Sequence, residues 1–433
     1  MGAFTTRIRR DVLAVGLPIA LLIIGIFWVA SLFIQPAPPQ SLVMTTGAES
    51  GAYHGHARRY QEILARHGIR LDLIPSSGAL ENLERLKDAN SRAMVGFIQG
   101  GATASADSAG LMSLGSMYYE PLWVFYRGNA QVDRIAQLKG MKVAVGAEGS
   151  GTRKLALQIF AANGMAEDTR DFLALGGDAA VDALGQGRVD AAFIIAGAES
   201  TVVRRLLGAP GLKLMSFAQA DAYVKLFPFL SKVTLPRGAV NLMKDLPAQN
   251  VTLVAPTANL VARNDIHPAL VSLLMQAASE THGKAGVFQQ VKEFPAPKDY
   301  TFEISKDAER YYKSGPPFLQ RYLPFWAATL VDRILVMALP LLALIPILRA
   351  IPALYAWRVT SRIYRWYGEL SMLENEIRKN YDPTQHADYR AALDSMEDRA
   401  NNRPVPVAYA HLLYTLREHI DLVRTALQRK GAA

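Results

Sequence analysis

No cysteine occurs anywhere in this 433-residue chain. That absence excludes disulfides, thiolate nucleophiles, cysteine-ligated zinc and a lipid anchor on an N-terminal cysteine. It leaves the redox compartment open, because an oxidising space permits disulfides without requiring them. Charged residues are also sparse, 20% against 50% hydrophobic, which fits a globular core with added apolar membrane segments. Neither a G-x-S-x-G elbow nor an H-E-x-x-H helix is present, and no other catalytic constellation stands out. The chain therefore reads as a binding protein and not an enzyme, with no cofactor and no metal. The net charge of +9 raises nucleic acid as a partner. It is set aside because many arginines flank apolar runs, where a bilayer accounts for them.

Two such runs are present. Val12 to Ile34 follows Arg7, Arg9 and Arg10, and at about 1.5 Å per residue it spans a hydrocarbon core of ~30 Å. A cleaved signal peptide is the rival reading. The run is longer than a typical signal core, and Gln35 to Pro39 makes a poor cleavage site, so an uncleaved anchor is preferred. The second run, Phe325 to Leu348, contains Asp332, Arg333, Pro340 and Pro346. A re-entrant or surface helix remains the alternative there. Arg349, Arg358, Arg362 and Arg365 follow, interleaved with Tyr355, Trp357, Tyr364 and Trp366. Arginine and aromatic residues together suit the cytoplasmic headgroup layer. The expectation is a two-pass protein of a bacterial inner membrane with both termini cytoplasmic and the middle of the chain periplasmic.

Between the runs, strands and helices alternate. Ser41–Thr46, Leu71–Ile74, Ala93–Ile98, Lys142–Gly146 and Ala191–Ile195 read as strands, and helices are expected near 53–67, 79–90 and 152–163. This order predicts an α/β fold with parallel or mixed sheets. About 280 residues are too many for one small sheet and suit two lobes. Ligands in such folds sit where strand ends turn into helices. Two Gly-rich turns do this: Thr46-Gly47 through Ser50-Gly51-Ala52-Tyr53, and Gly146 through Gly149-Ser150-Gly151-Thr152. Free N–H groups at a helix start favour an anion, and glycine admits it to the backbone. The hydroxyls of Thr46, Ser50, Ser150 and Thr152 offer further hydrogen bonds. The plainer reading is that glycine and serine only cap these helices. Gly146 to Gly151 has P-loop spacing, but Thr152 and Arg153 stand where Lys and Ser/Thr are needed, so a nucleotide is rejected. His54 and His56 point to different faces of a helix start and read as structural.

The order of motifs resembles the TAXI-type solute receptors of TRAP transporters, a branch of the two-lobed periplasmic binding proteins. Thr46-Gly47 with Gly51-Ala52-Tyr53 resembles the family's first loop, and Ser77-Gly78-Ala79-Leu80-Glu81-Asn82-Leu83 its serine turn. Gln99 follows a buried strand as the family's glutamine does. Leu138 to Gly146, Gly149 to Thr152 and Ala183 to Phe193 complete the match. Tyr118-Tyr119-Glu120 stands where the family has YPE, and Ser50-Gly51 where it has two glycines. The resemblance implies lobes joined by crossing segments, placed near Pro121–Tyr126 and Met215–Tyr223, that close on a small organic acid or amino acid. It implies ligand contacts from Ser50, Tyr53, Ser77, Gln99, Gly149, Ser150, Gly151 and Thr152, with Gly197 and Glu199 at the rim. Arg58 and Arg127 are weaker candidates as charge partners.

The expected layout is a cytoplasmic N-terminus (1–11), a first transmembrane helix (12–34), a linker (35–40), a periplasmic two-lobed domain (41–324), a second transmembrane helix (325–348) and a cytoplasmic tail (349–433). The first lobe is assigned 41–120 and 224–320, the second 121–223. In the tail, Asp382-Pro383 predicts a helix start, Pro404 and Pro406 a helix end, and Leu412 or Leu413, Leu416, Ile420, Val423 and Leu427 the stripe of a helical hairpin. The expected partners are the solute, the lipid bilayer and TRAP membrane subunits. A ligand sensor signalling through the tail is the alternative.

Overall fold

The computed structural model describes residues 2–32, 36–103, 108–165, 171–402 and 405–431. The expected end of the first apolar run at Ile34, the linker start at Gln35 and the helix-ending Pro404 lie outside them. Residues 37–330 form one compact unit, and the described residues before and after form another.

The 37–330 unit contains two five-stranded sheets. One is built from β1 (Ser41–Thr45), β2 (Arg70–Ile74), β3 (Val95–Gln99), β4 (Leu111–Tyr119) and a late strand, β12 (Thr257–Arg263), in the order β2-β1-β3-β12-β4. The other is built from β5 (Leu122–Arg127), β6 (Val143–Ala144), β7 (Phe172–Leu173), β8 (Ala191–Ile195) and β9 (Leu212–Leu214), in the order β7-β6-β8-β5-β9. Both sheets are mixed: β1 runs parallel to β2 and β3, and β6 to β7 and β8, while β12 and β5 run antiparallel to their neighbours. Every residue of β3 is buried, which is why it reads as an unbroken apolar run. The helix Ala52–Arg66 instead buries one stripe, Tyr53, Ala57, Tyr60, Ile63 and Leu64, against the first sheet.

Each sheet has its own core. Met44, Tyr60, Phe97 and Leu274 belong to the first lobe, and Trp123, Phe125, Phe160 and Phe193 to the second. The first crossing is Glu120-Pro121, between β4 and β5, within one residue of its expected place. The second differs from expectation. Met215, Phe217 and Tyr223 lie inside the second core, and Met215 N–H donates to Val124 O at 2.9 Å. A further antiparallel pair, β10 (Ser231–Leu235) and β11 (Val251–Ala255), adds Val233, Leu235, Leu253 and Val254 to that same core. The chain returns at Pro256, so residues 224–255 move from the first lobe to the second. An alternating apolar strand shows that one face is buried, not which core buries it.

In the other unit, the first helix, Gly2–Ser31, has its apolar stretch at Gly16–Val29. Among the described residues, one helix is long and apolar enough to cross a bilayer: Phe325–Lys379, which runs through Pro340, Pro346 and Pro352. Its apolar half exposes Ile334, Leu335, Leu341, Leu342, Ile345 and Leu348. Its second half supplies Ile363, Leu370 and Ile377, seven residues apart, to a bundle with the helices His386–Asn401 and Ala410–Gly431. Leu416, Ile420, Val423 and Leu427 face that core, so the expected hairpin has a third helix as partner. Asp382 Oδ1 accepts from Thr384 N–H at 2.9 Å, capping a turn that has Pro383 at its first position.

Leu253 is fully buried in the second core. Leu253→Ala is expected to destabilise the lobe by about 3 kcal/mol, measured by denaturant unfolding of the full chain in detergent. A loss below about 1 kcal/mol contradicts placing β11 in that core.

Candidate functional site

A cleft of 1310 Å³ lies between the two lobes, and the N-termini of five helices open on it. These begin at Ala52 and Ala79 in the first lobe and at Gly151, Gly177 and Thr201 in the second; the first residues of all five line the cleft. In four of them no side chain caps the helix, the residues before the start being Gly51, Gly78, Gly176 and Ser200. The first N–H groups of a helix have no partner within it, and their dipoles add to a positive end. The cleft is thus ringed by weak positive potential from the backbone.

Local chemistry fixes these turns. Gly51 N–H donates to Ala48 O at 2.7 Å and folds the first loop back on itself. Buried Asn82 anchors the serine turn. Its Oδ1 accepts from Thr45 Oγ1 at 2.6 Å and Ser76 Oγ at 2.7 Å, and its Nδ2 donates to Phe97 O at 2.9 Å. Ser77 donates both N–H and Oγ–H to Glu81 Oε2 at 2.7 and 2.8 Å. In the second lobe Gly146 has φ +103, and a Cβ there would lie 2.7 Å from Arg153 N. A side chain at this turn is excluded on both counts.

Of the residues read from the sequence, Gly47, Ser50, Gly51, Tyr53, Ser77, Gln99, Ser150, Gly151, Thr152, Gly197 and Glu199 line the cleft. Thr46 and Gly149 do not. Thr46 is fully buried, and its hydroxyl faces Gly47 O, Ile74 O and His54 Nδ1. Gly149 serves a turn at φ +69. Ser150 Oγ is engaged as a cap, donating to Ala147 O at 2.7 Å and accepting from Arg153 N–H at 3.2 Å. Its hydroxyl is therefore not a spare donor, contrary to expectation. Arg127 donates to Leu184 O and Gly185 O, at the end of the helix Gly177–Gly185, and Arg58 does not reach the cleft. The lobes touch where Gln99 Nε2 donates to Gly151 O at 3.3 Å and Lys154 Nζ to Ala102 O at 2.6 Å.

Several lining residues were missed. Gly176-Gly177-Asp178 is a third Gly-lined turn from strand to helix, and that pattern was available in the sequence. Glu120, Tyr118, His56 and His282 were not legible as a group, because their meeting depends on the fold. Tyr53 Oη donates to Glu120 Oε2 at 3.0 Å, and Tyr118 Oη lies 3.5 Å from Glu120 Oε1. Burial pushes the Glu120 carboxyl up to about 7, although both hydroxyls favour its charged form. Burial, then the neighbouring Glu120 charge, raises Tyr53 and Tyr118. The His56 and His282 rings lie 4.7 Å apart, and His282 stacks on Tyr118 at 5.5 Å. Burial, then Arg59, lowers His56 to about 4; burial, then His56 and Arg59, lowers His282 as well. Both rings are neutral at pH 7. Among the described residues no group of three metal-binding side chains occurs.

Two α/β lobes with separate cores, joined by two crossings and divided by a cleft of helix starts, define the periplasmic-binding-protein fold. The chain belongs to the NMT1-like family, whose profile matches residues 44–313. Solved structures similar to it include the periplasmic aliphatic sulphonate binding protein SsuA from Escherichia coli (18% identity, TM-score 0.38, covering 57% of this chain and 73% of that one). The alkanesulfonate-binding protein SsuA from Xanthomonas axonopodis bound to MOPS matches at 17% identity and TM-score 0.38, covering 57% and 74%. An ancestral arginine-binding protein bound to arginine matches at 14% identity and TM-score 0.37, covering 56% and 92%. At these TM-scores the likenesses carry no argument of their own, and the architecture rests on strand order and cores.

His56 has its Nδ1 enclosed without a hydrogen-bond partner among the described residues. Its pKa is near 4 folded and 6.5 in the free side chain, so the unfolded chain takes up the proton first. Stability is complete above pH 6.5 and is lost as pH falls towards 4, by on the order of 3 kcal/mol. His56→Phe is expected to flatten this window in thermal unfolding at a series of pH values. An unchanged acid slope contradicts the assignment.

Proposed function

We propose that this protein is a solute receptor whose cleft holds a small anionic organic solute, a carboxylate or an amino acid. The observation that carries this is the convergence of helix starts from both lobes on one cleft, four of them without side-chain caps. Helix N-termini attract anions through oriented N–H groups and need no arginine. The proposed contacts are Gly47, Ser50, Gly51, Tyr53, Ser77 and Gln99 from the first lobe, with Ser150, Gly151, Thr152, Gly176 and Gly177 from the second. Gly197 and Glu199 form the rim. Binding across both lobes stabilises the closed state by the contacts that only closure completes. The chain is read as a receptor and not an enzyme because the cleft is organised around backbone donors and not around a nucleophile with its base.

The finer reading follows the motif order: a TAXI-type receptor serving a TRAP-type transporter, held at the bacterial inner membrane with its lobes in the periplasm. The helix from Phe325 supports the membrane attachment, and the Gly16–Val29 stretch is proposed as the core of a second span. Both termini are then cytoplasmic. Membrane subunits of the transporter and the bilayer are the proposed partners. A sensor reading is favoured by one observation. The C-terminal bundle has a core of its own, with Ile363, Leu370, Leu393, Leu416 and Ile420, and is a body fit to receive a signal.

A thermal-shift screen of the full chain in detergent, against amino acids and small mono- and dicarboxylates, tests the receptor reading. At least one compound is expected to raise the melting temperature, and Ser150→Trp, which fills the second-lobe wall, is expected to abolish that rise. Loss of the cap costs about 1 kcal/mol by itself, so the variant stays folded. An undiminished rise in the variant sinks this site.

A further inference from the structure

The cleft floor contains one ionisable group that anion binding at helix starts leaves unexplained. Glu120 is 5% exposed, lines the cleft, and forms the first crossing between the lobes. Its backbone N–H donates to Pro256 O at 2.9 Å, so it touches both crossings. Tyr53 of the helix Ala52–Arg66 and Tyr118 of β4 face its carboxyl, and the same two elements with the helix Pro268–His282 bring His56, Arg59, Tyr119 and His282 to the cleft. The second lobe brings Asp178 and Glu199 to the cleft, both of the same sign as Glu120. The cations nearby are otherwise engaged or act elsewhere. Arg66 pairs with Glu280 at 2.7 Å, and Lys298 with Glu293 at 2.5 Å and Tyr119 Oη at 2.6 Å. Arg59 bears on His56 and His282 but not on Glu120. Lys284 lies on the cleft wall without a hydrogen bond or ion pair to Glu120.

The carboxyl therefore has tyrosine hydroxyls as its hydrogen-bond partners. Two hydroxyls suit either form, since each donates to a carboxylate and either accepts from the acid. An anion in the same cleft makes the ionised form still more costly, because like charges at low dielectric repel strongly. We propose that the protein captures its anionic solute together with one proton, and that Glu120 carries this proton between Tyr53 and Tyr118. The proposal rests on the anionic reading of the cleft. The balance is simple: a solvent proton joins the Glu120 carboxylate to give the acid, and no other group changes its charge.

The sign follows from the folded protein alone. Burial has already brought the empty carboxyl to about 7, and a bound anion raises it further. Affinity is then highest below pH 7 and falls about tenfold per pH unit above it. The full chain in detergent is titrated with pyruvate, succinate, L-glutamate and each other compound that raises its melting temperature. Calorimetry at about pH 8, in two buffers of different ionisation enthalpy, is expected to show uptake approaching one proton per solute by the wild type. Binding without proton uptake overturns the proposal while leaving the receptor reading intact, and this measurement needs no variant. Glu120→Gln, which imitates the acid, is expected to bind with no proton uptake and to lose the tenfold pH dependence; a variant that keeps both assigns the proton elsewhere and overturns the role of Glu120. Infrared difference spectra of the empty wild type between about pH 6 and pH 8 are expected to show a protonated-carboxyl band that Glu120→Gln lacks, and absence of the band overturns it too. If the band is present but no compound binds, the anionic reading fails, and proton-coupled capture falls with it.

Discussion

The hydrogen bond from Glu120 N–H to Pro256 O ties together the two places where, among the described residues, the chain passes between the sheet of β1–β4 and that of β5–β9. Each lobe has a separate core, so relative motion of the lobes leaves both cores intact and disturbs only the contacts between them, such as Gln99 with Gly151 and Trp123 with Phe288. Cores are bistable at their interfaces and stiff inside, which is the condition for hinge motion. The crossings also decide what the cleft is made of. The parallel strands of each sheet end towards it, and the turns after them start helices, so backbone donors gather there without any special placement of charged side chains.

That arrangement has an electrostatic consequence. The hydroxyls of Thr46, Ser77 and Ser150 are bound to their own turns, where they fix loop geometry. The backbone supplies most of the donors, and it cannot change charge with pH. The titratable groups of the floor are arranged the opposite way. His56, His282 and Glu120 are all pushed by burial towards their neutral forms. Buried groups held towards their neutral forms leave the ring of aligned dipoles above them uncancelled, and this is the electrostatic basis of the proposed anion site.

Much of this was legible in the residues. The alternation from Ser41 to Ile195 marks the strands and helices because central parallel strands are buried on both faces and read as apolar runs, as β3 does. The two Gly-rich loops were legible because glycine is required there: Gly146 adopts φ +103 against the backbone of Arg153. Gly176-Gly177 had the same signature and was passed over, since the two-residue strand β7 before it is too short to show periodicity. The β10–β11 pair was assigned to the wrong lobe for a different reason. Its alternation reports a buried face, and only the register of Ser231 opposite Ala255 brings that face to Phe217 and Trp123. Glu120 was visible as a lone acid before a proline, but its burial arises from Tyr53, 67 residues earlier in the chain. Nothing local encodes that.

Gly151 separates the capping reading of these loops from the binding one. If the turn only capped a helix, a small side chain would be tolerated at its first residue, because helix starts accept most residues. A Cβ at Gly151 would instead lie 2.5 Å from Gln99 Oε1, across the gap between the lobes. A Cβ here would push the Gln99 amide aside, so glycine leaves that amide room to sit on the helix start, with Nε2 donating to the Gly151 carbonyl at 3.3 Å. The helix start is shaped by something outside its own lobe. That contact spans the gap between the lobes, and Gln99, the last residue of β3, is where the first lobe meets a helix start of the second.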